Sequence, residues 1–595
     1  MQLLGVNYTL LTDPLSLFFL FVILLVSAPA AIYSVGYMRG EYGRGKKALL
    51  WALLAAFVLS MALVVTSGNA LVFLVAWELM SLASYFLVVI DHRHERSVMA
   101  GTIYIVMTHI GTAFMTAALL IMSNYAGSFD IAAMKAASAS IPANIKDIIF
   151  ILFLIGFGTK AGIVPLHVWL PYAHPQAPSH ISSIMSGVMI KTAVYGLLRF
   201  VFLTLGIGPQ WWGNLVLVLA LVSCLAGIMY ALMEQDLKKL LAYSSVENMG
   251  IIMLGLGASM VFMKMGMPAL AVMALCAGLF HLLNHAVFKG LLFLGAGAVY
   301  KATGTRNIEH LGGLIKKMPV TAAVFLAGSI AISGLPPFNG FVSEWLTLQA
   351  FFYGAVNSGG SYKIFLCVCA ALLALTGGLA AACFVKAFGI TFLAVPRSKA
   401  AQSAQEVPLS MKAPMAFLAL MALALGLGAP FAVKYISVIA GFAMGVPAGE
   451  APISFFIKTN WIAAAVLVFA ASCCYAARNR RAAECNTWDC GYYKLSPRNE
   501  YSATAFSKPL RIAFSFFLMP YSKTEKIRDS FYHVRSFKYE VFTTPVFRKY
   551  IYAPAVSLLF IAARKLKKIQ PGSIHVYVAY IFVTIVLLVI FMGRF

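Results

Sequence analysis

Apolar runs of about twenty residues recur along the chain from Leu15 almost to its last residue, separated by short polar or basic connectors. A bilayer core of about 30 Å takes about 20 apolar residues to cross as a helix. On that measure fourteen spans are predicted, starting near Leu15, Ala48, Ala70, Val98, Asp147, Ile181, Gly213, Asp236, Met267, Pro319, Tyr362, Ala413, Ile453 and His575. Two of them cannot run unbroken. The fifth meets Pro165, Pro171, Pro175 and Pro178, and the tenth meets Pro336 and Pro337; proline removes a backbone donor and clashes with the preceding turn. Non-helical backbone at membrane depth survives only where protein buries it or a wet cavity bathes it.

One break falls in each half of residues 48–395, which divide into two blocks of five spans, 48–205 and 213–395. Five is odd, so the second block is expected to be inverted relative to the first. Paired broken helices in an inverted repeat point to a transport site near the midplane; simple proline kinks are the competing reading. The remaining parts are residues 1–47 (first helix and basic loop), 396–477 (two further helices), 478–574 and 575–595 (last helix). The expected fold class is therefore an all-α polytopic membrane protein. Within 478–574 the stretch TTPVFRKYIYAPAVSLLFIAARKLKK suits an amphipathic helix lying along the cytoplasmic face, with a solvated tail as the alternative.

Composition agrees with a membrane protein: 61% of the 595 residues are hydrophobic and 11% charged, outside the range of soluble domains. The net charge of +25 raises nucleic acid as a partner, but the basic residues sit in connectors and no nucleic-acid motif accompanies them. The positive-inside rule accounts for them instead. It places the amino terminus outside. It leaves Arg39, Lys46, Arg93, Lys238, Lys239, Lys301, Arg306, Arg397 and the basic segment after Arg478 inside. The first apolar run lacks a basic region before it, so no cleavable signal is expected. Of nine cysteines only Cys485 and Cys490 pair up in a polar segment, and two cannot ligate an iron–sulfur cluster. No nucleotide loop, catalytic triad or cluster motif is visible. The chain is expected to bind no cofactor and to carry no redox centre of its own.

Chemistry is expected where ionisable groups interrupt apolar runs. Lys160 and Lys191 lie deep in theirs, and an ammonium at mid-bilayer costs about 3 kcal/mol or more, so such lysines usually mark ion paths. Snorkelling to the interface is the bland alternative. Glu78 is expected to be a buried carboxylate, ionised only beside a cation such as Lys160 or Lys191. His281, His285 and Lys289 recur every four residues and share one helical face, widened by Asn284. Histidine both accepts and donates near neutral pH, so this stripe suits a hydrated proton wire; haem or metal ligation lacks a second ligand pair. Glu344 follows the second break. Lys386, Glu247 and His109 form a second rank, and for Glu247, His109 and Arg199 a structural role is equally in view.

WELMSLASYFLV, GFGTKAGIVPLHVWLPYAHPQAPSH, MIKTAVYGLLRF, DLKKLLAYSSVENMGI and FHLLNHAVFKGLLFLGAGAV together resemble the antiporter-like proton-conducting membrane subunits shared by respiratory complex I, Mrp-type cation antiporters and membrane-bound group 4 hydrogenases. SGLPPFNGFVSEW and TWDCGY resemble the hydrogenase-4 component B and formate hydrogenlyase subunit 3 branch. The resemblance implies a proton-translocating subunit in the inner membrane, with nickel–iron and iron–sulfur centres in partner subunits. It implies that Glu78 tunes Lys160, that Lys191, His281, His285 and Lys289 form the central relay, and that Glu344 is the exit group. It also implies other membrane and peripheral subunits as partners and protons, or sodium, as the transported ion. The family commonly has two further amino-terminal spans, so fourteen helices here stand for a sixteen-helix plan. A cation/proton antiporter subunit and a non-pumping anchor for a redox enzyme are the rival readings.

Overall fold

The computed structural model describes residues 2–3, 6–7, 9–446, 457–478, 488–528, 534–567 and 572–592. They form two compact units, Met1–Leu510 and Arg511–Phe595. The chain opens on a small hairpin, β1 (Gln2–Leu3) and β2 (Val6–Asn7). Asp13 then caps α1 (Pro14–Tyr37) by accepting from Ser16 N at 2.9 Å, and Pro14 occupies the first turn, where its missing N–H has no use. Next come α2 (Arg44–Thr66), α3 (Ala70–Val88), α4 (Glu95–Ala126) and the short α5 (Ile131–Ala137).

The first break separates α6 (Ala143–Ala161) from α7 (Leu170–Gln176). Gly162 ends α6 with φ +75°, and the Val164–Pro165 peptide is cis. The freed backbone groups find side-chain partners: Val164 N donates to Ser223 Oγ at 2.9 Å, and Trp169 Nε1 donates to Thr159 O at 2.7 Å. The next span, Ser179–Leu205, runs as α8 (Ser179–Ile184), a π-helical turn at Met185–Met189, α9 (Ile190–Gly196) and a second π-helical stretch at Leu197–Leu205.

Three long helices follow: α10 (Gln210–Met233), α11 (Leu237–Lys264) and α12 (Pro268–Thr303). Glycines let α10 and α11 approach closely; a Cβ on Gly227 would lie 2.5 Å from Glu247 N, and one on Gly250 2.7 Å from Ala220 O. The second break separates α13 (Pro319–Ile332) from α14 (Asn339–Asn357) around the cis Pro336–Pro337 peptide. The unit is completed by α15 (Gly360–Phe392), the short α16 (Lys399–Gln402), α17 (Leu409–Leu427), α18 (Ala429–Met444), α19 (Ile457–Arg478) and α20 (Ala503–Ala513, up to Leu510). The Ser179–Leu205 span, α11 and α12 are buried almost throughout and form the centre, whereas α2, α4, α15 and α17 keep outward apolar faces.

The chain is a multi-pass helical membrane protein. Among the described residues ten helices are long and apolar enough to cross a bilayer, fewer than the fourteen expected. The spans expected from Asp147, Pro319, Ile453 and His575 are not among the ten: Lys146, Asp147 and Lys160 all fall in α6, the second proline break limits α13 to Pro319–Ile332, and the last two have only shorter apolar stretches, Ala464–Ala476 and Ile574–Ile590. The expected start at Ile453, Cys485 and part of TWDCGY lie outside the described residues.

In the second unit, α21 (Ser515–Leu518), α22 (Ala553–Lys567) and α23 (Ile574–Met592) accompany a hairpin of β3 (Pro520–Arg528) and β4 (Val534–Thr543). The helix expected within TTPVFRKYIYAPAVSLLFIAARKLKK is present as α22. The chain is predominantly helical, as expected; this hairpin was not foreseen. Its cause is local: Lys523 faces Glu540 and Tyr521 stacks on Phe542 at 5.5 Å, the cross-strand pairs that stabilise antiparallel ribbons.

Candidate functional site

The ionisable groups that interrupt the apolar runs converge on a polar layer through the centre of the first unit. At one end Lys160, in the last turn of α6, donates to Ser81 Oγ at 2.9 Å and Tyr104 OH at 3.0 Å, and lies against the rings of Trp77 and Tyr104. It is buried, so snorkelling is excluded for it. Tyr104 OH also shares a 2.6 Å hydrogen bond with Ser84.

Lys191 is fully buried between the two π-helical stretches and donates to Ser186 O. Ser186 Oγ is 2.7 Å from Ser245 Oγ, and Ser245 donates to Leu241 O at 2.9 Å. Leu241 O also accepts from Lys289 Nζ at 2.9 Å, and Lys289 reaches Ser244 Oγ as well. Two buried lysines from the two blocks thereby meet one hydrogen-bonded cluster, Lys191 at the Ser186 carbonyl and Lys289 at the Leu241 carbonyl and Ser244 hydroxyl of α11. The serines were not singled out in the sequence.

The path continues along α11 and α12 into α14. Asn248 donates to Ser244 O at 2.8 Å and to Glu247 Oε2 at 3.1 Å, and its Oδ1 is 3.2 Å from His281 Nε2. With the amide so oriented, His281 Nε2 is the donor, and its Nδ1 lies 3.0 Å from Ser343 Oγ. Asn284 and Asn339 exchange hydrogen bonds of 2.9 and 3.1 Å beside it. His285 stacks on His281 at 6.4 Å, yet neither of its ring nitrogens has a protein partner. Glu344, the residue after Ser343, is half-buried against the second break; a Cβ on Gly334 would lie 2.7 Å from its Oε2.

One expectation is corrected. Glu78 is only partly enclosed: its side chain is 28% exposed, Oε2 pairs with His109 Nε2 at 3.4 Å, and Lys160 is within its electrostatic range but not in contact with it. Ser81, three residues on and about 60° round the helix, takes the inward position that meets Lys160, and Glu78 lies at the edge of that face. Glu247 lies well inside α11 and is fully buried. Lys386 donates to Leu232 O at 2.5 Å and Glu234 O at 2.8 Å. It therefore holds the α10–α11 turn against α15. Arg199 forms a two-pronged pair with Asp13 at 2.6 and 2.9 Å and anchors α1, a structural role.

Two features had no sequence signal. His174 is fully buried between Trp169 and Phe293, with both ring nitrogens lacking a protein partner. It lies within electrostatic range of Lys191, Lys238 and Lys289. Buried polar atoms without protein partners, here on His174 and His285, are where structural waters bind. A cavity of about 970 Å³ opens above, lined among others by Asp91, Arg93, Glu95, Asp236, Lys238 and Arg306. Lys238, expected in a loop, is buried there and donates to Ala177 O at 2.6 Å; Arg306 reaches Pro175 O and pairs with Asp236 at 3.1 Å. At its rim, burial and the neighbouring Asp91 push the Tyr42 phenol well up.

Residues 67–374 match the family described as NADH:quinone oxidoreductase/Mrp antiporter, TM, and residues 1–46 the one described as NADH-ubiquinone oxidoreductase (complex I), chain 5 N-terminus. The chain is 38% identical to hydrogenase-4 component B of Escherichia coli (strain K12), over 98% of its length and 89% of that relative. It is 34% identical to formate hydrogenlyase subunit 3 of the same organism, over 86% and 81%. In fold it resembles a chain of the membrane-bound sulfane sulfur reductase, an archaeal respiratory membrane complex, with a TM-score of 0.79, 22% identity and coverage of 99% and 90%.

Proposed function

The chain belongs to the NADH:quinone oxidoreductase/Mrp antiporter transmembrane family, and on that premise we propose that it is the proton-translocating membrane subunit of a hydrogenase-like complex whose redox centres reside in partner subunits. One observation carries the reading: buried lysines from both blocks, Lys191 and Lys289, meet one hydrogen-bonded cluster of Ser186, Ser245 and Leu241, with Lys160 at one end and Glu344 at the other. Hydroxyls and waters between titratable groups are what a proton needs to cross a low-dielectric layer, and intramembrane lysines seldom have another purpose.

The mechanism follows from the placement. Protons enter from the charged cavity by way of Lys238 and His174. They pass among Lys160, Lys191 and Lys289, and leave through the second break at Glu344. The basic residues that line this cavity come from the connectors after α3 and α12 and from the terminal turns of α4, α11 and α12, which supports a cytoplasmic assignment for that end and an amino terminus outside. The chain's place is the inner membrane.

Glu78 and His109 supply the partner argument. An ion pair at membrane depth on an outward flank is unfavourable against lipid, so another membrane subunit covers α3 and α4 there.

The test is Lys160→Met in the intact complex reconstituted in vesicles. Dye-reported proton movement is lost while the complex assembles and its redox turnover persists with an uncoupler present. Normal proton movement would overturn the reading, leaving a membrane anchor. Sodium-dependent proton movement without redox turnover would move the chain to the cation/proton antiporters.

A further inference from the structure

The entries to α3 and α11 are built alike. Asn69 and Asp236 are the N-caps, each accepting from two backbone N–H groups of its own helix. The residue after each cap pairs with the chain beyond the next helix: Ala70 N with Phe129 O at 2.8 Å, and Leu237 N with Arg306 O at 2.9 Å. The return bonds correspond too, Ile131 N to Gly68 O and Ile308 N to Gln235 O, both 3.0 Å. Gly127 and Gly304 end α4 and α12 in the left-handed region. These correspondences support the reading of 48–205 and 213–395 as repeats.

Each helix of the pair carries the pattern Glu-x-Met-small, Glu78 to Ser81 and Glu247 to Gly250. Counted from the caps, however, Glu78 is the ninth residue and Glu247 the eleventh. At about 100° per residue, two extra positions turn the second carboxylate through about 200°. Glu78 looks outward, whereas Glu247 looks into the polar layer.

Glu247 is 1% exposed. Its Oε2 accepts from Asn248, which leads to His281 and Ser343, and it lies within electrostatic range of both Lys289 and Glu344. A fully buried carboxylate is tolerated only with a charge partner or a bound proton, and Lys289 is within range as the charge partner. We propose that Glu247 is a proton carrier between Lys289 and Glu344, so that the second half of the path runs through a pair of carboxylates, with the histidine stripe beside it.

Proton balance is simple. Lys289 loses an N–H bond as Glu247 gains an O–H bond, leaving a neutral amine and a neutral acid. Glu247 then loses that bond as Glu344 gains one, and Lys289 is reprotonated from the Lys191 side. This inference rests on the function proposed above, and its test separates the two.

Glu247→Gln keeps shape and the bond accepted from Asn248 but cannot carry a proton. In the intact, reconstituted complex it slows proton movement by about tenfold or more, with uncoupled redox turnover retained. Wild-type proton movement would show that Glu247 only holds Asn248 in place. Lys160→Met and Lys289→Met are measured in parallel. If both are inactive while Glu247→Gln is normal, only this inference fails; if all three are normal, the proposed function fails with it. Should the glutamine variant not assemble, infrared difference spectra of the oxidised and reduced complex decide with Glu247→Asp. A protonated-carboxyl band that moves supports the carrier role, and an unchanged spectrum overturns it.

Discussion

Ser186 and Ser245 meet hydroxyl to hydroxyl at 2.7 Å, one from the π-helical turn before Lys191 and the other from the middle of α11. Because Ser245 gives its proton to Leu241 O, it can only accept from Ser186, so the pair has one direction. Both are fully buried. Ser245→Ala therefore leaves the Ser186 hydroxyl without its partner, at about 1 kcal/mol of stability, and slows proton movement. The double alanine variant is no slower than the single one, because both changes remove the same link. Vesicle acidification rates for the three variants, at equal assembly, check this.

Glu78 stands one helical turn from Ser81, the partner of Lys160. Glu78 is within electrostatic range of Lys160, an interaction worth a few kcal/mol at most at an effective dielectric of about 20, and its exposed flank reduces that. Glu78→Gln slows proton movement and Glu78→Asp retains part of it. His109→Asn resembles the glutamine variant only mildly, since His109 is itself half exposed. Equal, complete loss in all three would assign the flank to subunit packing, readable as loss of neighbours on native gels.

Glu344→Gln blocks proton movement and Glu344→Lys restores part of it, because a lysine at that break can still exchange a proton. A separate variant tests geometry with the carboxyl intact. Gly334 has φ +62°, and a Cβ there would press on Glu344 Oε2 at 2.7 Å. Gly334→Ala strains the turn, displaces the carboxyl and lowers the rate without removing any titratable group.

The Asp13–Arg199 pair gives a stability prediction. Asp13→Ala strands a buried guanidinium and costs about 3 kcal/mol or more, seen as a lower melting temperature in detergent; adding Arg199→Met recovers most of it. Burial pushes the Asp13 carboxyl up, but the hydrogen bonds and charge of Arg199 outweigh it and hold it below its ordinary 3.8. The pair's contribution is then complete above about pH 4 and lost as the pH falls through the lower folded value.

Groups that offend the bilayer were legible in the sequence. Lys160, Lys191, Lys289 and the two proline breaks stand out because lipid charges heavily for cations and for unpaired backbone. The connecting groups were not legible. Ser186, Ser244 and Ser245 are unremarkable in membrane helices, where a hydroxyl satisfies itself on a carbonyl one turn back, and only three-dimensional placement shows which of them meets a lysine. Glu78 misled for a different reason: an apolar run says that a helix is in the membrane but not which face meets protein. The β3–β4 hairpin was hidden because its polar, charge-paired alternation reads as a solvated connector.

The first helix break also dictates an order of events at the ribosome. Val164 N–H is satisfied by Ser223, a residue 59 positions later in the chain, whereas the amide of Asn284 that closes on the second break at Asn339 has been made 55 residues beforehand. During synthesis the first break waits for its partner and the second finds one in place. The insertion machinery therefore has to shelter α6, α7 and the span after them until α10 emerges, and release into lipid before that point would leave an open peptide group in hydrocarbon.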